Sequence, residues 1–322
     1  MLITANLPSA IVGRAQQNRP QSSRWTAAQE SLIRRVSGEK KLVENPDAEG
    51  LRLRPDMESI FIPADSAKGT LVLLHGYSAG PWQYEEMSDF LHDKGYNVYV
   101  PRLPGHGLVT SEGIPTGCAI PESNEDDQWD SFVDSVYQQA AALGEAVQVI
   151  GLSGGATLGL RIAERHPEVA GVAAFAPFLG GNLPLGLLFP VVNFLDTITF
   201  GMLGNLLDRG PFGKNSNTID NGGPHTKSSL GQALGMYQLG QKIDRVAAPV
   251  QFITTAGDSL SGTAAVSRMR AHCGDGEQTG WYHFAREDGV PHAMVSPRQS
   301  RAAEKVRDLL FEFVDQGHFI EG

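Results

Sequence analysis

Val147-Gln148-Val149-Ile150-Gly151-Leu152-Ser153-Gly154-Gly155-Ala156 is the stretch that decides the fold. A β-branched apolar run ends in Gly-x-Ser-x-Gly and passes directly into small residues and then into helical spacing. This is the sequence form of a strand, a tight turn and a helix, with Ser153 at the apex. Such a turn lifts the hydroxyl clear of a sheet and aims a helix N-terminus at whatever reacts there. Ser153 is therefore the expected nucleophile. The pattern occurs again at Gly76-Tyr77-Ser78-Ala79-Gly80, in a chain with 37 glycines. Context separates the two matches. Ser153 is followed by residues that let a helix start close against a strand, whereas Ser78 is followed by Ala79, Gly80, Pro81 and Trp82, which read as a loop. Ser78 is expected beside the site, and Ser78 and Leu152 are assigned to substrate binding.

Working outward, Thr70–His75 and Tyr96–Pro101 precede this stretch as strands, and Gly171–Ala176, Pro249–Thr255 and Thr279–Phe284 follow it. Helical spacing falls between them at Pro81–Lys94, Asp127–Leu143, Gly154–Arg165, Gly262–Cys273 and Gln299–Gln316. Strands alternating with helices predict an α/β fold with a mostly parallel sheet covered on both faces, and the strands' unbroken apolar character agrees. Met57–Pro63 reads as a further strand. Residues 1–56 read as an N-terminal extension with a helix near Trp25–Val36. The alternation breaks at 177–248, an apolar stretch followed by a polar one and a helix over Leu230–Ile243. This region is expected to be an inserted cap, or lid, on a core of 57–176 and 249–322. It would both pack on the body and wall an acyl-binding pocket.

Composition narrows the function classes. The 322 residues carry a net charge of −10, which argues against nucleic acid or an anionic membrane as the main partner. Cys118 and Cys273 give no metal-ligand spacing and no disulfide framework, and a reducing, cytoplasmic setting is expected. The N-terminus lacks the form of a secretory signal, and no run reaches the ~20 apolar residues that span a bilayer. The Leu183–Phe200 region is broken by Pro184, Pro190, Asn193 and Asp196.

A serine hydroxyl needs a base to take its proton and an acid to orient that base. In this topology they follow in the order serine, acid, histidine, each in a loop after a later strand. Asp258 leaves the strand ending at Thr255 through Ala256-Gly257, at the end of the sheet where ligands bind. Its bland alternative is capping the next helix. Asp288 and Glu287 are rivals, but they lie too near the candidate base to come from a separate strand end. That base is His292, between the Trp281–Phe284 strand and the terminal helix. Among nine histidines, His283 lies within a strand, His166 and His272 near helix ends, His225 in the cap and His318 near the terminus. The oxyanion hole is expected from the backbone N–H groups of Gly154 and Tyr77, with His75 shaping the loop.

Taken together, LVLLHGYSAG (71–80), VPRLPGHG (100–107), Gln128-Trp129-Asp130, VIGLSGGA (149–156), ITTAGDS (253–259) and GVPHAMV (289–295) resemble the α/β-hydrolase superfamily. Within it the chain looks like the monoacylglycerol lipase and carboxylesterase group over roughly residues 57–316. The resemblance implies a Ser153–His292–Asp258 triad and ester hydrolysis without metal or cofactor. It also makes His106 a loop-structuring residue. The chain departs from the group at Gly154, where Met, Leu or Gln is common, and at Pro291, where Gly is usual. Gly154 is expected to widen the pocket or loosen the elbow. The substrate is expected to be a small ester, and the apolar cap favours an acyl chain or an aromatic ester over a charged one. Acyltransferases, thioesterases and carbon–carbon bond hydrolases share this machinery, and a binding protein on the same fold is a further alternative. Dehalogenases and epoxide hydrolases, with aspartate at the elbow, are disfavoured. No oligomeric state follows from the sequence.

Overall fold

The apolar runs form the sheet in the computed structural model, which describes residues 25–116, 119–123, 125–180, 229–273 and 278–322. The strands are β1 (Arg52–Leu53), β2 (Ile60–Ile62), β3 (Thr70–Leu74), β4 (Asn97–Val100), β5 (Leu108–Val109), β6 (Val147–Leu152), β7 (Gly171–Phe175), β8 (Val250–Thr255) and β9 (Thr279–Phe284). Seven of them make one sheet in the order β2-β4-β3-β6-β7-β8-β9, while β1 and β5 pair separately. Within the seven-stranded sheet only β2 runs antiparallel, against β4, and the separate β1–β5 pair is antiparallel as well. The separate β1–β5 pair is not among the strands expected from sequence. They are two-residue pieces, too short for a period-two signal to show.

Helices α1 (Ala27–Glu44), α2 (Glu85–Asp93), α3 (Asp126–Ala141), α4 (Gly154–Arg165), α5 (Leu230–Lys242), α6 (Thr263–Ala271) and α7 (Ala303–Gln316) cover the sheet. Side-chain alternation along each strand splits the core between its faces. Val72 and Leu74 of β3 and Val149 of β6 join Val133, Leu158, Ile162 and Val266 on one side. Leu71, Leu73 and Ile150 join Met87, Leu91, Val306 and Leu310 on the other. Each fully buried aliphatic side chain contributes about 1.5–3 kcal/mol relative to exposure.

The helix expected near Trp25–Val36 runs on to Glu44. It starts at a capping box in which the Thr26 side chain accepts from Gln29 N–H and the Gln29 side chain accepts from Thr26 N–H. Leu32 and Val36 on its inner face enter the core, and the Gln29 amide donates to Ala64 O at 3.2 Å. Glu39 reaches Ser59 N–H at 2.7 Å and Arg102 at 3.6 Å, so residues 25–56 are joined to the body by packing and by charge. Most of the expected cap, 181–228, lies outside the described residues, as does His225. Its C-terminal flank is α5. This helix begins with a Ser229–Gln232 capping box, and Gln232 also donates to Ile120 O at 3.2 Å. Among the described residues no helix is long and apolar enough to cross a membrane.

Because β3, β6, β7, β8 and β9 are parallel, their carboxyl ends share one edge. That edge carries His75 after β3, Ser153 after β6 and Asp258 after β8, with His292 on the loop following β9. This is where open α/β sheets place ligands.

Candidate active site

Ser153 sits between β6 and α4 with φ 56° and ψ −119°. A non-glycine residue at positive φ costs on the order of 1–3 kcal/mol, so the surroundings must hold it. They do so from both sides. The Ser153 N–H donates to Phe175 O at 2.9 Å, and the Ser153 carbonyl accepts from Thr157 N–H at 3.1 Å and Phe178 N–H at 3.2 Å. Gly155 lets the helix start so close to β3 that any Cβ there would overlap the Leu74 and His75 carbonyl oxygens.

Across the edge, Asp258 and His292 meet. His292 Nδ1 is 2.5 Å from Asp258 Oδ2, and the Asp258 side chain is 1% exposed. The second carboxylate oxygen is occupied as well, accepting from Leu260 N–H at 2.8 Å and Ser261 N–H at 3.2 Å. Asp258 thus shapes its own loop and holds the imidazole at the same time. The capping role weighed against it falls away, since α6 has Gly262 as its N-cap and no side-chain cap. The rival Asp288 is turned away and accepts from Ala285 N–H at 2.8 Å. His283 pairs with Thr254 Oγ1 at 2.7 Å, His166 with Asp134 at 2.9 Å and His272 with Asp244 O at 2.8 Å. Ser153 Oγ and His292 are not hydrogen-bonded to each other in this structure. Such contacts often tighten only when substrate seats.

The loop after β3 is built on two buried histidines. His75 Nδ1 donates to Gly76 O at 3.0 Å, and its Nε2 accepts from Leu103 N–H at 3.1 Å. His106 Nδ1 donates to Pro104 O at 2.9 Å, and its Nε2 accepts from Ser78 N–H at 3.3 Å, holding Ser78 at φ 74°. Each role requires the neutral ring. Burial pushes His75 well below the usual histidine range, and the neighbouring His106 and Arg102 act in the same direction. Burial pushes His106 down to about 4, with Arg102 adding to it. Gly76 O accepts from Ala79 N–H at 3.0 Å as well as from His75. In a trans peptide the N–H lies opposite the C=O, so the Tyr77 N–H faces away from these donors. Tyr77 N lies 3.5 Å from the position a Cβ on Gly154 would take. Leu152, 1% exposed, packs beneath Gly76.

The neutral His106 has a consequence for acid stability. Its pKa is about 6.5 unfolded and about 4 folded, so between these values the unfolded chain binds more protons and stability falls as pH falls. The stability gap between wild type and His106→Asn is expected to narrow by about 2 kcal/mol from about pH 7.5 to about pH 5, read by denaturant melts. A gap independent of pH would contradict a neutral, buried His106.

The sequence model of the Alpha/beta hydrolase family matches residues 71–321. The chain belongs to that family. A thermostable monoacylglycerol lipase from Bacillus sp. strain H-257 is 26% identical over 202 residues, which make up 61% of this chain and 73% of that protein. A monoacylglycerol lipase structure from Paleococcus ferrophilus matches with a TM-score of 0.58 at 20% identity, over 81% of this chain and 98% of that one. A soluble variant of monoglyceride lipase from Saccharomyces cerevisiae matches with a TM-score of 0.58 at 15% identity, over 82% and 92%. At these identities the two structures establish the fold.

Within this alpha/beta hydrolase, the space beside Gly154 is filled rather than opened. A Cβ at this position would lie 2.9 Å from Tyr77 Cβ and 3.6 Å from Met236 Cγ. Of the two effects expected of Gly154, a wider pocket is not what the packing shows, because Tyr77 lies within overlap distance of a Cβ there and the fully buried Met236 of α5 within van der Waals contact. Met236 is a site neighbour that sequence reading missed. Its clue is the Gly231-x-x-x-Gly235 spacing, which marks a helix closely approached by another chain segment. A Cβ on Gly235 would lie 2.8 Å from Glu122 O. Gly154→Ala is expected to displace Tyr77 and to lower kcat by about 10- to 100-fold, less than the roughly 100- to 1000-fold that losing an oxyanion donor costs hydrolases in general. Steady-state kinetics on a short ester would check it. Unchanged kcat would show that the Tyr77 loop yields without consequence.

Proposed function

We propose that this chain hydrolyses carboxylic esters by two-step acyl transfer. The observation that carries the reading is the His292–Asp258 pair at 2.5 Å on the same sheet edge as a serine held at φ 56°. Ser153 Oγ attacks the ester carbonyl as His292 Nε2 takes its proton, and the ester C=O electrons move onto oxygen. The Tyr77 and Gly154 N–H groups receive that oxyanion. His292 then protonates the leaving alcohol, and water repeats the sequence to release the acid and free Ser153. Asp258 accepts from Nδ1–H and so fixes the ring proton there. The names of the relatives support an ester substrate. The apolar Met236 beside the elbow favours an acyl chain or aromatic group over a charged one.

Labelling with a fluorophosphonate, followed by peptide mapping, tests the nucleophile, and a p-nitrophenyl ester chain-length series tests the substrate class. Label on Ser78 rather than Ser153 would overturn the site. Turnover that requires an added acceptor alcohol would make the chain an acyltransferase.

A further inference from the structure

Beyond the triad and oxyanion donors, one buried side chain spans the two loops they depend on. Gln83 lies in the 3-10 turn Pro81–Tyr84 and is 3% exposed. Its Oε1 accepts from the Gly76 N–H at 2.8 Å. Its Nε2 donates to Gln299 Oε1 at 2.8 Å, across 216 residues of sequence. The direction of the chain is forced. A backbone N–H can be met only by the amide oxygen, so the NH2 group must face Gln299, whose oxygen must accept. Gln299 is seven residues beyond His292, on the segment that leads from the base to α7. Its own N–H is fixed to Ser296 O at 3.0 Å. Two more contacts join the same segments. Arg298 pairs with Glu85, and its guanidinium stands over the Trp82 ring at 5.8 Å from the centroid.

Gly76 is the residue that needs such a hold. Without a side chain it has the widest backbone freedom, and it directly precedes the Tyr77 N–H. His75 and Ala79 secure its carbonyl, and Gln83 secures its N–H. We propose that Gln83 is a positioning residue for acyl transfer. Its amide holds the oxyanion loop and, through Gln299, ties that loop to the histidine-bearing loop. The proposal rests on the ester-hydrolase reading above. Gln83 touches no reacting atom, and it acts through the Gly76 backbone and Gln299.

The test compares Gln83→Leu, Gln299→Leu and Gln299→Glu. The glutamate keeps an acceptor for Gln83 Nε2 at a partly exposed position, whereas the leucine removes it. Expected is a fall in kcat of about 10- to 100-fold for Gln83→Leu and about 3- to 10-fold for Gln299→Leu, with KM nearly unmoved. Affinity for a trifluoromethyl ketone, which forms a tetrahedral oxyanion adduct, should fall in parallel. Gln299→Glu should restore both. Altered melting temperature with wild-type kcat and ketone affinity would overturn the proposal, as would loss in Gln299→Glu equal to that in Gln299→Leu. If Gln83→Leu does not fold, the two Gln299 variants decide alone. Failure of the underlying reading would appear separately, as full turnover by a Ser153→Ala protein.

Discussion

Ser153→Ala should lower ester turnover by about 10⁴-fold or more and abolish fluorophosphonate labelling, while leaving the melting temperature close to wild type. The size follows from the role. Without Oγ no acyl-enzyme can form on residue 153, and serine hydrolases that lose the nucleophile keep only a small residual rate by direct attack of water. The small effect on stability follows from the surroundings. The bonds that hold residue 153 at positive φ run through its backbone, from N–H to Phe175 and from C=O to Thr157 and Phe178, and alanine keeps all three. Ser78→Ala is the matched control, since it removes the hydroxyl of the other Gly-x-Ser-x-Gly. Ser78 meets His106 through its backbone N–H, which the substitution preserves, so fluorophosphonate labelling of Ser153 should persist. Loss of labelling in Ser78→Ala with retention in Ser153→Ala would invert the assignment.

The elements legible in sequence are those whose signal is local. A β-branched run followed by Gly-x-Ser-Gly-Gly needs only ten residues to specify β6, the turn and α4, and α4 begins and ends where the spacing placed it, Gly154–Arg165. The meeting of Asp258 with His292 was legible through order, because each leaves a different strand on the same edge. What escaped depends on distant pieces meeting. Gln83 and Gln299 are ordinary glutamines in their own surroundings, and nothing local marks either as half of a bridge. The docking of α1 was hidden for a related reason. Its inner face offers Leu32 and Val36 amid charged residues, a stripe too narrow to announce burial before the Glu39 contacts to Ser59 and Arg102 are seen. At Gly154 the sequence shows a missing side chain but not what packs against it. A glycine in place of a larger residue implies space only when nothing else fills it, and here Tyr77 and Met236 lie against that volume.

Asp258→Asn should lower kcat/KM for esters by about 10⁴-fold with the fold intact, and the two oxygens of the native carboxylate explain why. Oδ1 accepts two backbone N–H groups, from Leu260 and Ser261. In asparagine only the carbonyl oxygen can replace it there, because an NH2 group facing two donors is repulsive. The NH2 is then forced toward His292 Nδ1, where the carboxylate oxygen stands at 2.5 Å in the wild type. A donor at that place requires Nδ1 to accept, which moves the ring proton to Nε2. Nε2 then faces Ser153 already protonated and cannot act as its base. The loop bonds survive, so thermal melts should change little while turnover collapses. Asp288→Asn, at the rival carboxylate that accepts from Ala285 N–H, should retain activity. Esterase activity in Asp258→Asn within about tenfold of wild type would mean that the acid lies elsewhere.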